Sequence, residues 1–268
     1  MATYGGDEVS ALVLDVGARW TKAGYAGEDM PAAFFSSWVG AATEQGASAN
    51  AADAMDVDAA PQNDAPEATT DGAGPRTRYY MHAGGAAPPW HENMEMRNPI
   101  KDGLIDDWDA LEQIWDHIFE SALRVNPAEH PLLVTESAWN KRECRERLAE
   151  LAFEKYRAPA LFLCKDAVLT AFAAGRSTAL VVDAGAGSTR VVPVYDGYVM
   201  QKNVAKQSLG AHMLSEIILQ QMETDMKITV TPQYKVKEKQ PVETEQPAKA
   251  TLHDRPNTTA SYDHYAKL

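Results

Sequence analysis

The strongest constraint on this chain is a pair of eleven-residue segments that overlay without a gap, LVLDVGARWTK (12–22) and LVVDAGAGSTR (180–190). Leu12 matches Leu180, Asp15 matches Asp183, Gly17 matches Gly185, Ala18 matches Ala186 and Thr21 matches Thr189, while Lys22 sits opposite Arg190. Each segment runs apolar, ends on an aspartate and turns through glycine, as a buried strand does when it enters a tight turn. One such turn is weak evidence. Two in register, against the alternative of unrelated strand ends in a common core, indicate a duplicated unit.

The physical logic of the duplicate is a clamp. Glycine permits close approach to a ligand, successive backbone N–H groups form an anion-binding concavity, and paired carboxylates can orient a hydrated Mg²⁺. The phosphate-cradling candidates are therefore Asp15, Gly17, Ala18, Asp183, Gly185, Ala186 and Gly187. Asp15 and Asp183 are the carboxylates expected to face Mg²⁺ through water, and Lys22 is the point charge for a β- and γ-phosphate.

Between the two repeats, apolar strands alternate with helical periodicity, which points to an α/β layered fold. Asp109 and Glu112 make a capping box for a helix running to about Val125, with Leu111, Ile114, Trp115, Ile118 and Phe119 on one face. LLVTES after Pro131 and ALFLC (160–164) read as strands, and Asn140 with Glu143 repeats the capping pattern before a second helix. DAVLTAFAAG closes on Gly175 as a C-terminal stop, VVPVYDGYVM reads as a hairpin, and AHMLSEIILQQM as a further helix. The tail from Thr229 is polar and proline-studded, which predicts extended or loosely ordered chain. Residues 41–75 are rich in Ala, Asp and Pro and cannot bury enough apolar surface to order themselves. They read as a disordered acidic insertion, either a solvated spacer or a histone-binding loop.

Composition limits the partners. A net charge of −13 opposes a nucleic-acid grip through the chain's own surface, so no sequence-specific DNA binding is expected, and basic partners such as histones fit better. The N-terminus lacks the n- and h-regions of a secretion signal, and no apolar run approaches membrane-spanning length, so a soluble intracellular chain is expected, with no membrane partner. Cys144 and Cys164 lie in apolar-periodic segments and read as two buried thiols. The histidines His82, His91, His117, His130 and His212 share no ligand spacing, and Trp108, Trp115 and Trp139 read as packing residues.

Longer stretches carry a resemblance. PIKDGLIDDWDALEQIWDHIF (99–119), LRVNPAEHPLLVTESAWN (123–140) and VPVYDGY (192–198) resemble segments of the actin family nearly residue for residue. The two Asp-x-Gly turns are similar to the phosphate loops of the wider actin, Hsp70 and sugar-kinase superfamily. YGGDEVSALVLDVG (4–17), the tryptophan of TESAWN and FLCKDAVLTAFAAGRST (162–178) resemble a nuclear actin-related branch. The resemblance implies an actin/Hsp70/hexokinase-like (ribonuclease H-like) α/β fold. Its first-lobe core would be residues 1–37 and 98–174, a small subdomain 38–97 would carry the insertion 41–75, and 175–268 would be an incomplete start of the second lobe. Because the family continues for about another hundred residues, the chain reads as an N-terminal portion.

The departures from the family bear on chemistry. The first phosphate loop has Gly17-Ala18-Arg19 where actin has Gly-Ser-Gly, so Ala18 offers no hydroxyl to a γ-phosphate. Ala186 stands at actin's second loop aspartate, Asp166 at its water-positioning glutamine and Arg190 at its nearby histidine. Positioning the attacking water is most of what a phosphoryl-transfer site contributes. An Asp166–Arg190 pair would replace that machinery, so no catalytic residue is assigned. The resemblance thus implies ATP with Mg²⁺ held by the full-length protein without turnover, and weak or absent binding by this chain. It also implies a nuclear, non-catalytic subunit of histone-acetyltransferase and chromatin-remodelling complexes, paired with actin on a helical segment of a motor or scaffold subunit and contacting nucleosomes. The alternatives are a filament-forming ATPase and, less favoured by the local matches, a sugar or acetate kinase.

Overall fold

The structure, a computed structural model, describes residues 10–44, 76–82, 88–242 and 249–268. A five-stranded sheet ordered β10-β9-β1-β2-β3 forms its centre. The strands are β1 (Leu12–Val16), β2 (Trp20–Tyr25), β3 (Ala33–Ser36), β9 (Leu132–Glu136) and β10 (Leu161–Lys165). β1, β2 and β3 are successive antiparallel neighbours, whereas β1, β9 and β10 run parallel and therefore need crossover helices. Leu12 and Leu14 are buried on one face of β1, and Leu132 and Val134 on the matching face of β9. Helix α1 (Trp108–Asp116) lays Leu111, Ile114 and Trp115 on that face, and α2 (Arg142–Glu150) adds Leu148.

Helix α1 starts two residues earlier than expected. Asp107, not Asp109, accepts the Ala110 N–H at 3.1 Å. Asp107 is also gripped by Arg97 Nε at 2.7 Å, which fixes its side chain at the helix entrance. The helix then continues as a π-helical turn, His117–Ala122, that keeps Ile118 and Phe119 in the core. The second expected cap does not form either. Asn140 turns its amide to the buried carboxylate of Glu136 at 2.9 Å, and Lys141 becomes the cap residue of α2. The buried carboxylate takes the amide N–H of Asn140, whose oxygen accepts only from the Lys141 N–H and not from an N–H inside the helix.

Helix α3 (Asp166–Ala173) ends as its sequence predicts, with Gly175 at φ +69° and its N–H on Phe172 O at 2.8 Å. A second, four-stranded sheet follows: β11 (Ala179–Ala184), β12 (Thr189–Tyr195), β13 (Tyr198–Val199) and β14 (Ala205–Gln207). Asp196 and Gly197 both take positive φ in the tight β12–β13 turn, the hairpin read from VVPVYDGYVM. Helix α4 (Ala211–Thr224) comes next. Of the two cysteines, Cys164 is buried and Cys144 only partly so.

Two expectations fail in part. Residues 45–75 of the acidic insertion lie outside the described residues, but its first four do not behave as assigned. Ala41–Glu44 belong to β4 (Val39–Glu44), which pairs with β5 (Arg76–Tyr80) and β6 (Met94–Arg97) in a three-stranded sheet. Ala41 and Ala42 are buried, and Met94 and Met96 on the neighbouring strand pack with Ala42, supplying apolar surface that the segment's own composition lacks. A two-stranded ribbon, β7 (Ile100–Lys101) and β8 (Leu104–Ile105), links this sheet to α1.

Among the described residues the tail is extended in part, as expected, but it also carries a helix. β15 (Val236–Gln240) and β16 (Lys249–Leu252) form a hairpin, and α5 (Ala260–Lys267) follows. Tyr262 of α5 is buried with Ala42, Met94 and Met96, so the small sheet provides the packing that a polar segment could not find within itself. Thr259 caps α5 by accepting from Tyr262 N at 3.2 Å. The Tyr262 hydroxyl donates to Pro88 O at 2.8 Å, and the Tyr265 hydroxyl bonds Ser36 Oγ at 3.1 Å.

Candidate functional site

The repeat is a repeat in three dimensions. β1–β2 and β11–β12 are hairpins of the same register: Asp15 lies directly across from Lys22, and Asp183 directly across from Arg190. The turns close through the same bond, Gly17 N–H to Trp20 O at 3.0 Å and Gly185 N–H to Ser188 O at 2.9 Å. Glycine suits both positions because a Cβ would crowd the accepting carbonyl, at 3.0 Å in the first turn and 3.3 Å in the second. The two turns also meet each other. A Cβ built on Gly187 would stand 3.4 Å from the Cβ of Ala18. Asn98 ties the first turn down, donating to Ala18 O at 2.6 Å, and Thr189 ties the second through Leu209 O at 2.6 Å. α4 caps the back of the second turn, with Ala211 and His212 N–H groups on Gly185 O and Ala186 O.

Between the hairpins lies a cavity of 390 Å³. Asp15, Gly17, Ala18, Lys22, Asp183, Gly185, Ala186 and Gly187 all line it, together with Asp166 and Arg190. The sequence argument therefore brought together residues that the fold does assemble. It missed Thr135 at the end of β9, whose hydroxyl donates to Asp15 Oδ1 at 2.7 Å. It also missed Arg19 as a cavity-lining group. His212 is not among the lining residues, and burial pushes its pKa below the usual range.

Lys22 and Arg190 are paired with acids within the cavity. Lys22 Nζ lies 3.4 Å from Asp15 Oδ2. Arg190 donates from Nε to Asp183 Oδ2 at 2.6 Å, and its Nη2 bridges the same oxygen and Asp166 Oδ2, the latter at 2.8 Å. The expected Asp166–Arg190 pair is present, and Asp183 joins it. Burial raises the Asp166 pKa above the usual carboxylate range, an effect that Arg190 and the Ala167 N–H only partly offset. The Arg190 guanidinium stands 5.6 Å from the Trp139 ring centroid, and Lys206 Nζ stands 4.7 Å from that of the same ring. Trp139 Nε1 donates to Asp102 O at 3.2 Å, so its ring is held from the adjoining turn rather than lying loose. At the cavity wall, the buried Glu136 carboxylate accepts from Lys165 Nζ and Asn140, both at 2.9 Å, with Arg145 Nε at 3.4 Å.

A hydrated Mg²⁺ is demanding: it needs a near-octahedral shell of oxygens and carboxylates free to accept from its waters. Here Asp183 accepts two donors from one guanidinium, and Asp15 is shared between Lys22 and Thr135. The backbone turns suit a phosphate chain, but the carboxylates as placed do not fit the cation. Asp166, on the cavity wall, is itself engaged by Arg190.

Two matched Asp-led hairpins, each opening a sheet and meeting across a cleft, define an actin-like protein. The family model described as Actin matches residues 6–268, and the chain belongs to the actin family. It is similar to Actin-related protein 4 of Oryza sativa subsp. indica, 44% identical over 98% of this chain and 58% of that protein. Actin-related protein 4 of Arabidopsis thaliana is 43% identical over 97% of this chain and 57% of its own length. The SWI/SNF and RSC complexes subunit arp42 of Schizosaccharomyces pombe is 33% identical over 87% of this chain and 48% of its own. The chain thus spans roughly half the length of these relatives.

Proposed function

We propose that this chain is part of a non-catalytic actin-family subunit of nuclear complexes that acetylate histones and remodel chromatin. The observation that supports the reading is the bridge from Arg190 to Asp166 and Asp183: by the resemblance, Asp166 and Arg190 stand where actin has its water-positioning glutamine and nearby histidine, and here they are tied to each other. Relatives named Actin-related protein 4, and one named as a subunit of SWI/SNF and RSC complexes, support the choice of complex. The partners proposed are actin, an amphipathic helical segment of a motor or scaffold subunit, and basic histone surface, the last favoured by the net charge of −13. ATP, where the complete protein holds it, is a static ligand of the paired turns.

Two measurements test this. Affinity purification of the protein from nuclei is expected to recover actin and a remodeller or acetyltransferase scaffold in stoichiometric amounts; recovery of neither sinks the assignment. Single-turnover assay of the complete protein with Mg-ATP is expected to give no hydrolysis above the protein-free rate, and turnover at the rate of actin sinks the non-catalytic reading.

A further inference from the structure

Asp166 and Asp183 come from different elements, the start of α3 and the end of β11, yet both direct an oxygen at the same nitrogen, Nη2 of Arg190. Two carboxylates converging on one point repel unless a positive charge stands between them. A guanidinium satisfies that requirement permanently, because it does not lose its proton in the range where proteins are folded. Its position is also enforced. The Asp183–Arg190 cross-strand register fixes the backbone, Nε–Asp183 fixes the fork, and the Trp139 ring backs the guanidinium plane. The equivalent pair in the first repeat, Asp15 with Lys22, is looser at 3.4 Å and has no aromatic backing of its own.

We infer that Arg190 is a built-in substitute for the divalent cation of this cleft, joining α3 to the second hairpin so that this junction does not depend on Mg²⁺. This deepens the reading of the cleft as non-hydrolytic and rests on it. A phosphate chain entering the cavity meets protein cations, Arg19, Lys22 and the bridged Arg190, rather than a metal presented by Asp183. The charge that a metal would bring is already part of the fold, and the acids that would orient its waters are already occupied.

The test is thermal unfolding of the chain, free of nucleotide, in EDTA and in excess Mg²⁺. The wild-type melting temperatures are expected to agree within about 2 °C. Arg190→Ala, which leaves Asp166 and Asp183 facing each other without a counter-ion, is expected to melt lower in EDTA and to gain about 4 °C or more from Mg²⁺. Arg190→Lys, which retains the charge, is expected to gain less than the alanine variant. The inference is overturned if the wild type loses stability on chelation by as much as that, or if Arg190→Ala is as indifferent to Mg²⁺ as the wild type. Should Arg190→Ala fail to fold, the wild-type and lysine arms decide alone. Mg²⁺-dependent stability without ATP turnover removes this inference only, whereas Mg²⁺-dependent stability with turnover removes the non-catalytic reading as well.

Discussion

Gly210 packs against the second phosphate turn so closely that a Cβ there would overlap the carbonyl oxygen of Ala186 and stand 2.7 Å from the Ser188 nitrogen. Its φ of −143° and ψ of 175° are open to any residue, so the constraint is space alone. The neighbouring N–H groups of Ala211 and His212 bond the same turn, which leaves the backbone no freedom to retreat. Gly210→Ala is therefore expected to destabilise the chain by about 3 kcal/mol and to loosen the second turn. Urea unfolding measures the first effect, and amide exchange at residues 185–189 the second. A variant as stable as wild type would mean that the turn and α4 are not locked together.

Glu136 is the one acid among the described residues buried to 6% exposure, and Lys165 supplies its closest cation. Lys165→Met keeps the length of the stem and removes the charge, leaving the carboxylate with Asn140 and the more distant Arg145. Breaking one side of a buried pair costs about 3 kcal/mol, more than the pair itself contributes. The double variant Lys165→Met with Glu136→Gln is expected to recover part of that loss, since a neutral amide needs no counter-ion. A double variant less stable than Lys165→Met would contradict this account, and equilibrium denaturation of the three chains decides it.

The sequence made the hairpins legible because strand, turn and cross-strand partner recur in one register, a signal that needs no tertiary information. The same register held one more piece that went unread: Lys22 opposite Asp15 already implied Arg190 opposite Asp183. The pairing of Arg190 with Asp166 came from the family comparison, not from spacing. Other features were set by distant chain and could not be read locally. In DDWD (106–109) two aspartates can cap the same helix, and Arg97 selects Asp107. Ala42 looks like part of a spacer until Met94 and Met96 cover it, and Tyr262 of α5 finds its partners some 170 residues upstream.

Burial holds His91, His117 and His212 below the ordinary histidine pKa, so each favours its neutral form in the fold. The sign follows from proton binding. Below the unfolded value of about 6.5 the unfolded chain takes up protons that the folded chain resists. The stability these residues contribute is complete above that value and is lost as pH falls through it toward the lowered folded values. His117, edge-on to Phe35 at 4.9 Å, is the most enclosed, and His117→Asn is expected to give a shallower decline between about pH 7.5 and 5.5 than the wild type. Denaturant unfolding across that interval measures both slopes. Equal slopes would remove His117 from the account.

The last prediction concerns the clasp between α5 and the small sheet. Tyr262 is 2% exposed and combines two kinds of contact, its ring against Met94 and Met96 and its hydroxyl on Pro88 O. Around it the backbone of β6 is held by the same segment, with Met96 N–H on Ser261 Oγ at 3.1 Å and Asn93 N–H on Asn257 O at 2.8 Å. Tyr262→Phe removes one hydrogen bond and is expected to cost about 1 kcal/mol. Tyr262→Ala removes the ring as well and is expected to cost about 3–5 kcal/mol, enough to free the small sheet before the central one. Hydrogen exchange separates the two regions: residues 94–97 should lose protection in Tyr262→Ala while residues 12–16 of β1 keep theirs. Equal loss in both would show that the small sheet and the central sheet open as one unit, and unchanged protection in both would show that α5 does not hold the small sheet at all.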